Sequence, residues 1–217
     1  MTLRPAGARW ITLATVIALP ALALPGQAFG ADTAAAPSTP VTVSVQTVNG
    51  SGCPAGTAAV TMQPDNTGFR ITYSDFIARA GGSASPVDFR KNCQVNLLVH
   101  IPQGFTFAVA RADYQGRARL ADGATALERS NYYYQSSPDN NYADHYVYGA
   151  YSGTWHTVDA TPVTELVYGP CGETRSLNVN TELRVDPGGA TGATNWISLR
   201  ASEGDVYTAV QFSWLQC

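Results

Sequence analysis

The segment between residues 131 and 156 concentrates side chains that could bind a carbohydrate. Seven of the eleven tyrosines lie between Tyr132 and Trp155, interleaved with asparagines and aspartates. Flat aromatic faces can stack on sugar rings, while amides and carboxylates hydrogen-bond to hydroxyl groups. If the protein binds glycan, this segment predicts a surface with stacking rings from Tyr148, Tyr151 and Trp155 and hydroxyl partners from Asn141 and Asp144.

The same composition has a purely structural interpretation. Tyrosine suits β-strands, so alternate tyrosines of the segment would pack inward and only the others would face water. The oxygen-bearing side chains of Asp139, Asn140, Asn141 and Asp144 could coordinate Ca²⁺, but they do not have the spacing of an EF-hand loop. We therefore expect a polar turn there, and we expect neither a metal nor a cofactor.

Few residues could support catalysis at neutral pH. The three histidines are His100, His145 and His156, and the adjacent pair Asp144 and His145 is the first to inspect. The motifs G-x-S-x-G, H-E-x-x-H and G-x-x-x-x-G-K-[ST] are absent, which removes the usual sequence support for a serine hydrolase, a zincin or a P-loop enzyme. A hydrolase using two carboxylates stays an alternative, because only their separation in space defines such a site.

The charge balance excludes one class of partner. The chain has 217 residues and a formal net charge of −3, whereas sequence-independent binding to nucleic acid needs a basic surface. Basic residues are nevertheless concentrated between residues 70 and 119, where Arg70, Arg79, Arg90, Lys91, Arg111, Arg117 and Arg119 outnumber Asp75, Asp88 and Asp113. This excess predicts either a basic face for an anionic cell-wall polymer or a mixed, solvated surface.

The elements that must position these residues are β-strands. Apolar residues alternate with polar ones in residues 41–45, 93–101, 177–185 and 206–214, and turn signals such as Asn49-Gly50 and Gly81-Gly82 separate the runs. Helix signals are weak and confined to residues 74–80 and 119–130. The pattern predicts an all-β, two-sheet antiparallel sandwich, immunoglobulin-like or jelly-roll-like, with about eight to ten strands and little helix.

The first thirty residues predict a signal peptide. Arg4 and Arg9 precede an apolar run over residues 10–24, and Ala28-Phe29-Gly30 gives the small-x-small pattern before a cleavage site. We expect a mature N-terminus at Ala31, a disordered leader over residues 31–40 and a single domain over residues 41–217. N-terminal sequencing of exported protein tests the cleavage, and an exported protein that retains residues 1–30 would contradict it.

Four short motifs resemble a known family. They are residues 49–54 (NGSGCP), 88–94 (DFRKNCQ), 102–105 (PQGF) and 171–173 (CGE) followed by 177–180 (LNVN). In this order they resemble the secreted bacterial and fungal proteins grouped as domain of unknown function 4360. The resemblance implies a small extracellular β-rich domain with paired cysteines, and it implies no activity and no catalytic residue.

The cysteines fall within these motifs or at the C-terminus. Export would place Cys53, Cys93, Cys171 and Cys217 in an oxidising compartment, where an even number predicts two disulfides. No C-x-x-C pair supports the alternative of a metal site. Of the three possible connectivities, locality favours Cys53–Cys93 and Cys171–Cys217, because each bridge closes a local segment and the second holds the chain end.

These observations predict a secreted, non-catalytic β-sandwich that acts as a binding or surface-associated module. The expected ligand is a glycan or cell-wall polymer, with no nucleic acid partner and no membrane contact after signal cleavage. The alternatives are an extracellular carboxylate-dependent hydrolase and a secreted inhibitor or protein-interaction domain. The oligomeric state does not follow from the sequence.

Overall fold

Alternating apolar positions give the chain an all-β fold, as the sequence predicts. The computed structural model describes residues 35–135, 141–171, 174, 176–203 and 206–217, and the predicted signal peptide lies outside them. The described strands are β1 (Thr42–Asn49), β2 (Ala58–Met62), β3 (Gly68–Tyr73), β4 (Ile77–Ala80), β5 (Arg90–His100), β6 (Phe105–Leu120), β7 (Thr125–Tyr134), β8 (Asn141–Tyr148), β9 (Tyr151–Ala160), β10 (Ser176–Asp186), β11 (Asn195–Ser198) and β12 (Tyr207–Gln216).

The strands form two antiparallel sheets. The five-stranded sheet has the order β1-β5-β10-β7-β8, so β8 is an edge strand. The seven-stranded sheet runs β2-β3-β12-β6, and the long strand β6 continues beyond β12 to pair with β11, which in turn pairs with β4. Strand β9 pairs along the other side of β6. The chain therefore passes from one sheet to the other between β8 and β9.

The core lies between the inner faces of the two sheets. Inward positions of β5 and β10 carry Val95, Leu97, Leu177 and Val179, all almost fully buried. The seven-stranded sheet contributes a cluster of aromatic rings that contact one another, formed by Phe69, Phe107, Phe212 and Trp214. Burial of these side chains supplies the main driving force for packing the sheets.

Two disulfides complete the fold. Cys53 is bonded to Cys93 and Cys171 to Cys217, and the described residues include no free cysteine. This is the pairing that locality predicts. The bridges span 40 and 46 residues, and closing loops of that size stabilises a domain by about 2–4 kcal/mol each.

Three local expectations differ from the structure. Twelve described strands replace the expected eight to ten. The segment 74–80, which has a weak helix signal, ends in strand β4. The second such segment, 119–130, covers the end of β6, a turn and the start of β7. Among the described residues, helix is limited to short 3-10 turns at Val163–Glu165 and Ala201–Glu203. In both segments pairing with neighbouring strands overrides the local propensity.

The predicted leader, residues 31–40, is described only from residue 35 onward, and its first four residues lie outside the described part. Pro37 is buried, and Asn66 donates from Nδ2 to the carbonyl oxygens of Pro37 and Thr39 at 2.8 and 3.0 Å. The Oδ1 of Asn66 accepts a hydrogen bond from the backbone N–H of Val41 at 3.0 Å. The folded region therefore begins before residue 41, because the turn between β2 and β3 supplies an amide that binds the incoming chain.

Candidate functional site

Three tyrosines of the edge strand β8 face water on one side of the five-stranded sheet. Strand alternation turns His145 and Val147 inward, so Tyr142, Tyr146 and Tyr148 project outward. Their exposed fractions are 67%, 53% and 64%. The rings of Tyr146 and Tyr148 are nearly parallel, with an interplanar angle of 20° and centroids 6.1 Å apart. We call these three outward side chains the tyrosine face.

Rows of amides cross the same side of the sheet. Strand register places Gln94, Asn180, Asn131 and Tyr142 side by side across β5, β10, β7 and β8. The Nδ2 of Asn180 donates to the Oδ1 of Asn131 at 3.4 Å. The adjacent row, with Asn96 beside Asn178, is joined by a hydrogen bond of 2.9 Å. Amide donors and acceptors therefore lead from the middle of the sheet to the tyrosine face.

The charged residues on this side are paired with one another. Arg129 donates from Nε and Nη2 to the two carboxylate oxygens of Asp144, at 2.5 and 2.6 Å. That guanidinium holds the pKa of the Asp144 carboxyl below its usual value. Burial alone would raise the pKa of Glu182, but hydrogen bonds from Arg90 and Arg184 leave it lowered. Both acids are thus anions in ion pairs, and with three guanidinium groups for two carboxylates most of the charge on this surface is compensated.

A shallow depression of about 210 Å³ lies where the amides meet the charges. Gln94, Asn131, Asn180 and Tyr142 line it together with Arg129 and neighbouring residues of β5 and β10. The Oδ1 of Asn180 is buried there and has no hydrogen-bond partner among the described residues. An acceptor in this position can bind a hydroxyl group from a ligand or a water molecule.

The structure separates the five residues predicted for a glycan surface. Tyr148 and Asp144 lie on the outer side of β8, while Asn141 is the first residue of that strand and its side chain lies outside the described part. Trp155 is 3% exposed and packs in the core, so its ring is not available for stacking. Tyr151 is half-buried on β9, in the other sheet, and donates its hydroxyl to the carbonyl of Thr154 at 2.6 Å. The binding role of Tyr148 and Asp144 stays a prediction.

Sequence reasoning missed Tyr142, Tyr146 and the amide rows. The signal for the tyrosines was their spacing, since positions 142, 144, 146 and 148 share one parity and must lie on one side of a strand. The signal for the amides was the polar half of two alternating runs, where Gln94, Asn96, Asn178 and Asn180 occupy positions that a solvated sheet usually fills with charges.

A second polar group lies inside the sandwich. Asp159 on β9 accepts hydrogen bonds from the Oγ of Ser130 on β7 and pairs with the Nε2 of His145 on β8, each at 2.5 Å. Glu128 on β7 lies beside them, is fully buried, and has no hydrogen-bond partner among the described residues. Burial raises the pKa of Glu128 well above its ordinary value of 4.5, and the charges of Asp159 and Asp144 add to the effect. Burial therefore favours the neutral acid over the carboxylate at this position.

This group has the residue types of a serine hydrolase but not their arrangement. In such enzymes a histidine stands between the serine and the acid and removes the serine proton. Here the aspartate stands between Ser130 and His145, so the described contacts give the serine no imidazole base. The predicted pair of Asp144 and His145 is also divided, because Asp144 faces outward and His145 inward on the same strand.

A cleft of about 570 Å³ opens between the edges of β8 and β9. Asp159, Tyr132 and Tyr142 line it, and Glu165 is a further acid in its wall, whereas Glu128 is not among its lining residues. A glycoside hydrolase needs an acid with a raised pKa in contact with the substrate. The acid with the raised pKa, Glu128, is fully buried and cannot touch a ligand in the cleft.

No group of three or more His, Cys, Asp or Glu side chains that could hold a metal ion occurs in the part of the chain that the structure describes, and Asp139 and Asn140 lie outside it. Within those ranges no helix is long and apolar enough to cross a membrane.

The fold and its outer surface define a disulfide-bonded domain of two antiparallel β-sheets with an amide and tyrosine surface on one sheet. The chain belongs to the family described as Domain of unknown function (DUF4360), whose model matches residues 39–217. The match begins within the segment that Asn66 holds and includes all four cysteines.

Two other proteins are similar to this chain, and neither similarity indicates an activity for it. An uncharacterized secreted protein of Arthroderma benhamiae is 30% identical over 139 residues, which cover 64% of this chain and 57% of that protein. The chain thus spans little more than half the length of that relative. The enzymatically active domain of tailspike protein 4 of bacteriophage CBA120 matches 79% of this chain and 19% of its own, with 12% identity and a TM-score of 0.26. A TM-score this low supports no inference.

Proposed function

We propose that the protein is a secreted, non-catalytic module that binds an uncharged glycan through the tyrosine face and the amides beside it. The observation that supports this most directly is the set of three exposed tyrosines on one side of an edge strand. Large aromatic rings are usually buried, and a group of them left in water is a common mark of a binding surface.

The chemistry of this surface suits a polyhydroxylated chain. The nearly parallel rings of Tyr146 and Tyr148 are both exposed, so their apolar surfaces can contact the C–H groups of a sugar. Gln94 and Asn180 are partly exposed and carry both donors and acceptors, which hydroxyl groups require. The nearby acids are bonded to arginines, so the surface favours a neutral ligand over a charged one.

Export is the second part of the proposal. Two disulfides persist in oxidising compartments, and the fungal relative is a secreted protein. The signal-like pattern of residues 1–30 supports the same location. Retention at the cell wall would follow if the bound glycan is a wall component.

The competing functions have weaker support. Glu128, the buried acid whose pKa is raised, cannot touch a ligand, and Ser130 contacts no imidazole in the hydrogen bonds of the described residues. For a protein-binding domain we would expect a continuous apolar patch. Outside the tyrosine face, the large apolar side chains given as exposed are Val45 on β1, Val87 and Phe89 in the loop before β5, and Val163 on a 3-10 turn, so only Val87 and Phe89 are close in the chain.

Truncating the tyrosine face tests the proposal. We expect Tyr146→Ala and Tyr148→Ala each to weaken retention on the neutral polysaccharide that the wild-type protein binds by a few-fold to tenfold, because one stacked ring contributes about 1 kcal/mol. The melting temperature should change little, since both side chains are more than half exposed. Affinity electrophoresis against a panel of neutral polysaccharides, with thermal denaturation of each variant, measures both quantities.

A tyrosine on the opposite side of the molecule gives the matched control. Tyr207 lies on the outer side of the seven-stranded sheet, where Arg70 covers its ring at 4.2 Å from the centroid. Tyr207→Ala should leave glycan retention unchanged. The proposal is rejected if no neutral polysaccharide retains the wild-type protein, or if Tyr207→Ala weakens retention as much as Tyr148→Ala.

A further inference from the structure

The two edges of the five-stranded sheet differ. Strand β1 forms one edge, and its pairing with β5 shifts at a bulge between Val45 and Thr47. Strand β8 forms the other edge and pairs, among the described strands, with β7 in a continuous register. Bulges, prolines and lysines are usual means by which an edge strand avoids pairing with another chain. The sequence of β8, NYADHYVY, contains neither proline nor lysine. Another strand can therefore join the sheet at β8.

The direction of the main-chain groups of β8 follows from the end of its ladder. The N–H of Gly149 donates to the carbonyl oxygen of Ala124 at 2.9 Å, in the register that β7 and β8 share. In an antiparallel ladder a residue directs its N–H and C=O groups to one side, and that side alternates along the strand. The odd-numbered residues of β8 therefore bind β7. The main-chain groups of Asp144, Tyr146 and Tyr148 point to the side away from β7, which we call the open edge.

The charged side chains of β8 are paired within the chain. Asp144 is the one acid in the sequence of this strand, and Arg129 of β7 donates two hydrogen bonds to it. His145 points to the inner side, where it pairs with Asp159. A second copy of the same strand would therefore meet compensated charges at the open edge, and like-charge repulsion between copies would be small.

Strand length and charge select one register for antiparallel pairing of two copies of β8. When His145 lies opposite His145 of the second copy, Asp144 lies opposite Tyr146, and Tyr148 lies opposite Tyr142. A shift by two residues in one direction would place the two copies of Asp144 opposite each other, and like charges in that position are destabilising. The same shift in the other direction would leave Tyr142 beyond the end of the second copy's strand. The register centred on His145 avoids both defects.

We propose that the protein forms a symmetric dimer in which a second copy of the chain adds its β8 to the open edge. The five-stranded sheets of the two copies then become one continuous antiparallel sheet. Asp144 of each copy exchanges two main-chain hydrogen bonds with Tyr146 of the other. Because one strand from each copy buries less area than a standard interface, the dimer should dissociate on dilution.

The second copy also extends the tyrosine face. In a single chain the three outward tyrosines lie at the rim of the sheet, with amides on one side of them. In the dimer the tyrosine faces of both copies adjoin along the two-fold axis, and Tyr148 lies across from Tyr142 of the second copy. The amide rows then flank the tyrosines on both sides. This consequence rests on the proposed glycan function, whereas the strand pairing needs no glycan.

Sedimentation of the oxidised, secreted protein over a dilution series tests the dimer without any glycan. We expect the wild-type mass to rise toward twice that of one chain at concentrations up to about 1 mM. Ala143→Lys adds a charge on the inner side of β8, opposite Val147 of the second copy, and should keep the protein monomeric. In a single chain the added ammonium group reaches the water of the cleft that Ala143 lines. The matched control is Gln46→Lys at the bulge of β1, where the side chain is exposed, and it should leave the dimer unchanged.

A single cysteine tests the register. The two copies of residue 145 would face each other at a position without main-chain hydrogen bonds, where Cα atoms are about 4.5 Å apart, within the range for a disulfide. His145→Cys should therefore give a covalent dimer on mild oxidation. Ala143→Cys should not, because Val147 lies opposite residue 143 in this register.

A wild-type protein that is monomeric at about 1 mM would overturn the proposal. A dimer that survives Ala143→Lys, or that Gln46→Lys disrupts to the same extent, would also overturn it, as would equal cross-linking of Ala143→Cys and His145→Cys. Thermal denaturation verifies that each variant folds. If Ala143→Lys does not fold, Asp144→Pro takes its place, because it removes an N–H group at the open edge and leaves the ladder with β7 intact. A dimer that retains no polysaccharide would contradict the glycan proposal alone.

Discussion

Replacing Trp155 with alanine is expected to lower the free energy of unfolding by about 3–5 kcal/mol, the range for removing a large aromatic side chain from a core. The ring is 3% exposed and lies over Gly116, its partner on β6. A Cβ atom on Gly116 would come within 2.4 Å of the indole. The fit is therefore tight, and alanine would leave a cavity that the two strands cannot close.

Urea denaturation of Trp155→Ala and wild type measures this effect, and retention on a polysaccharide at a temperature where both are folded gives the second readout. We expect retention to be unchanged. Tyr148→Ala is the converse control, because we expect its stability to be unchanged and its retention on the polysaccharide to be reduced. A stable Trp155→Ala protein that loses retention would place the ring at the ligand and contradict the packing described here.

A pH-dependent gain in stability is expected from Glu128→Gln. Between pH 4.5 and the raised pKa of the folded state, the native protein keeps a proton on Glu128 that the unfolded chain releases. The contribution of Glu128 to the stability of the fold is therefore fully present below pH 4.5. It is lost as the pH rises toward the pKa that Glu128 has in the folded protein. Glutamine has no such proton. The free energy of unfolding of the variant minus that of the wild type should therefore increase with pH, by up to about 1.4 kcal/mol per pH unit.

Urea denaturation at several pH values between 4 and 8 measures the difference. Asp144 and Glu182 have lowered pKa values, so their contribution to stability is lost as the pH falls. The variant and the wild type share this effect, and it cancels when their free energies of unfolding are subtracted. Glu165→Gln removes an exposed carboxyl and serves as the control. A constant difference for Glu128→Gln across the pH range would mean that Glu128 is ionised in the native state.

The strands themselves could be predicted from the sequence because a strand with one buried face must alternate. Val95 and Leu97 mark such a face, and the turn signal at Gly81 and Gly82 falls directly after β4. The cysteine pairing could be predicted because short loops close most readily. These features depend on neighbours in the chain, which the sequence shows directly.

The sheet in which each strand lies could not be predicted in this way. Alternation shows that Tyr148 and Trp155 each have a defined side, but it does not show that the chain changes sheets between them. Because β8 ends one sheet and β9 joins the other, residues only seven positions apart reach different environments. Arg70, Arg79 and Arg119 share the outer side of the other sheet for the same reason, since β3, β4 and β6 are brought together by pairing with β11 and β12.

The position of β12 also determines the order of folding events. This last strand lies between β3 and β6 in the middle of the seven-stranded sheet, and Thr208 pairs with both Ile71 and Tyr114. The hairpin of β2 and β3 therefore has no place in the sheet until the chain has been made through Gln216. Contacts between such distant segments form slowly, because a long loop has to close first. The middle of the seven-stranded sheet can consequently be completed only after β12 is available to pair with β3 and β6.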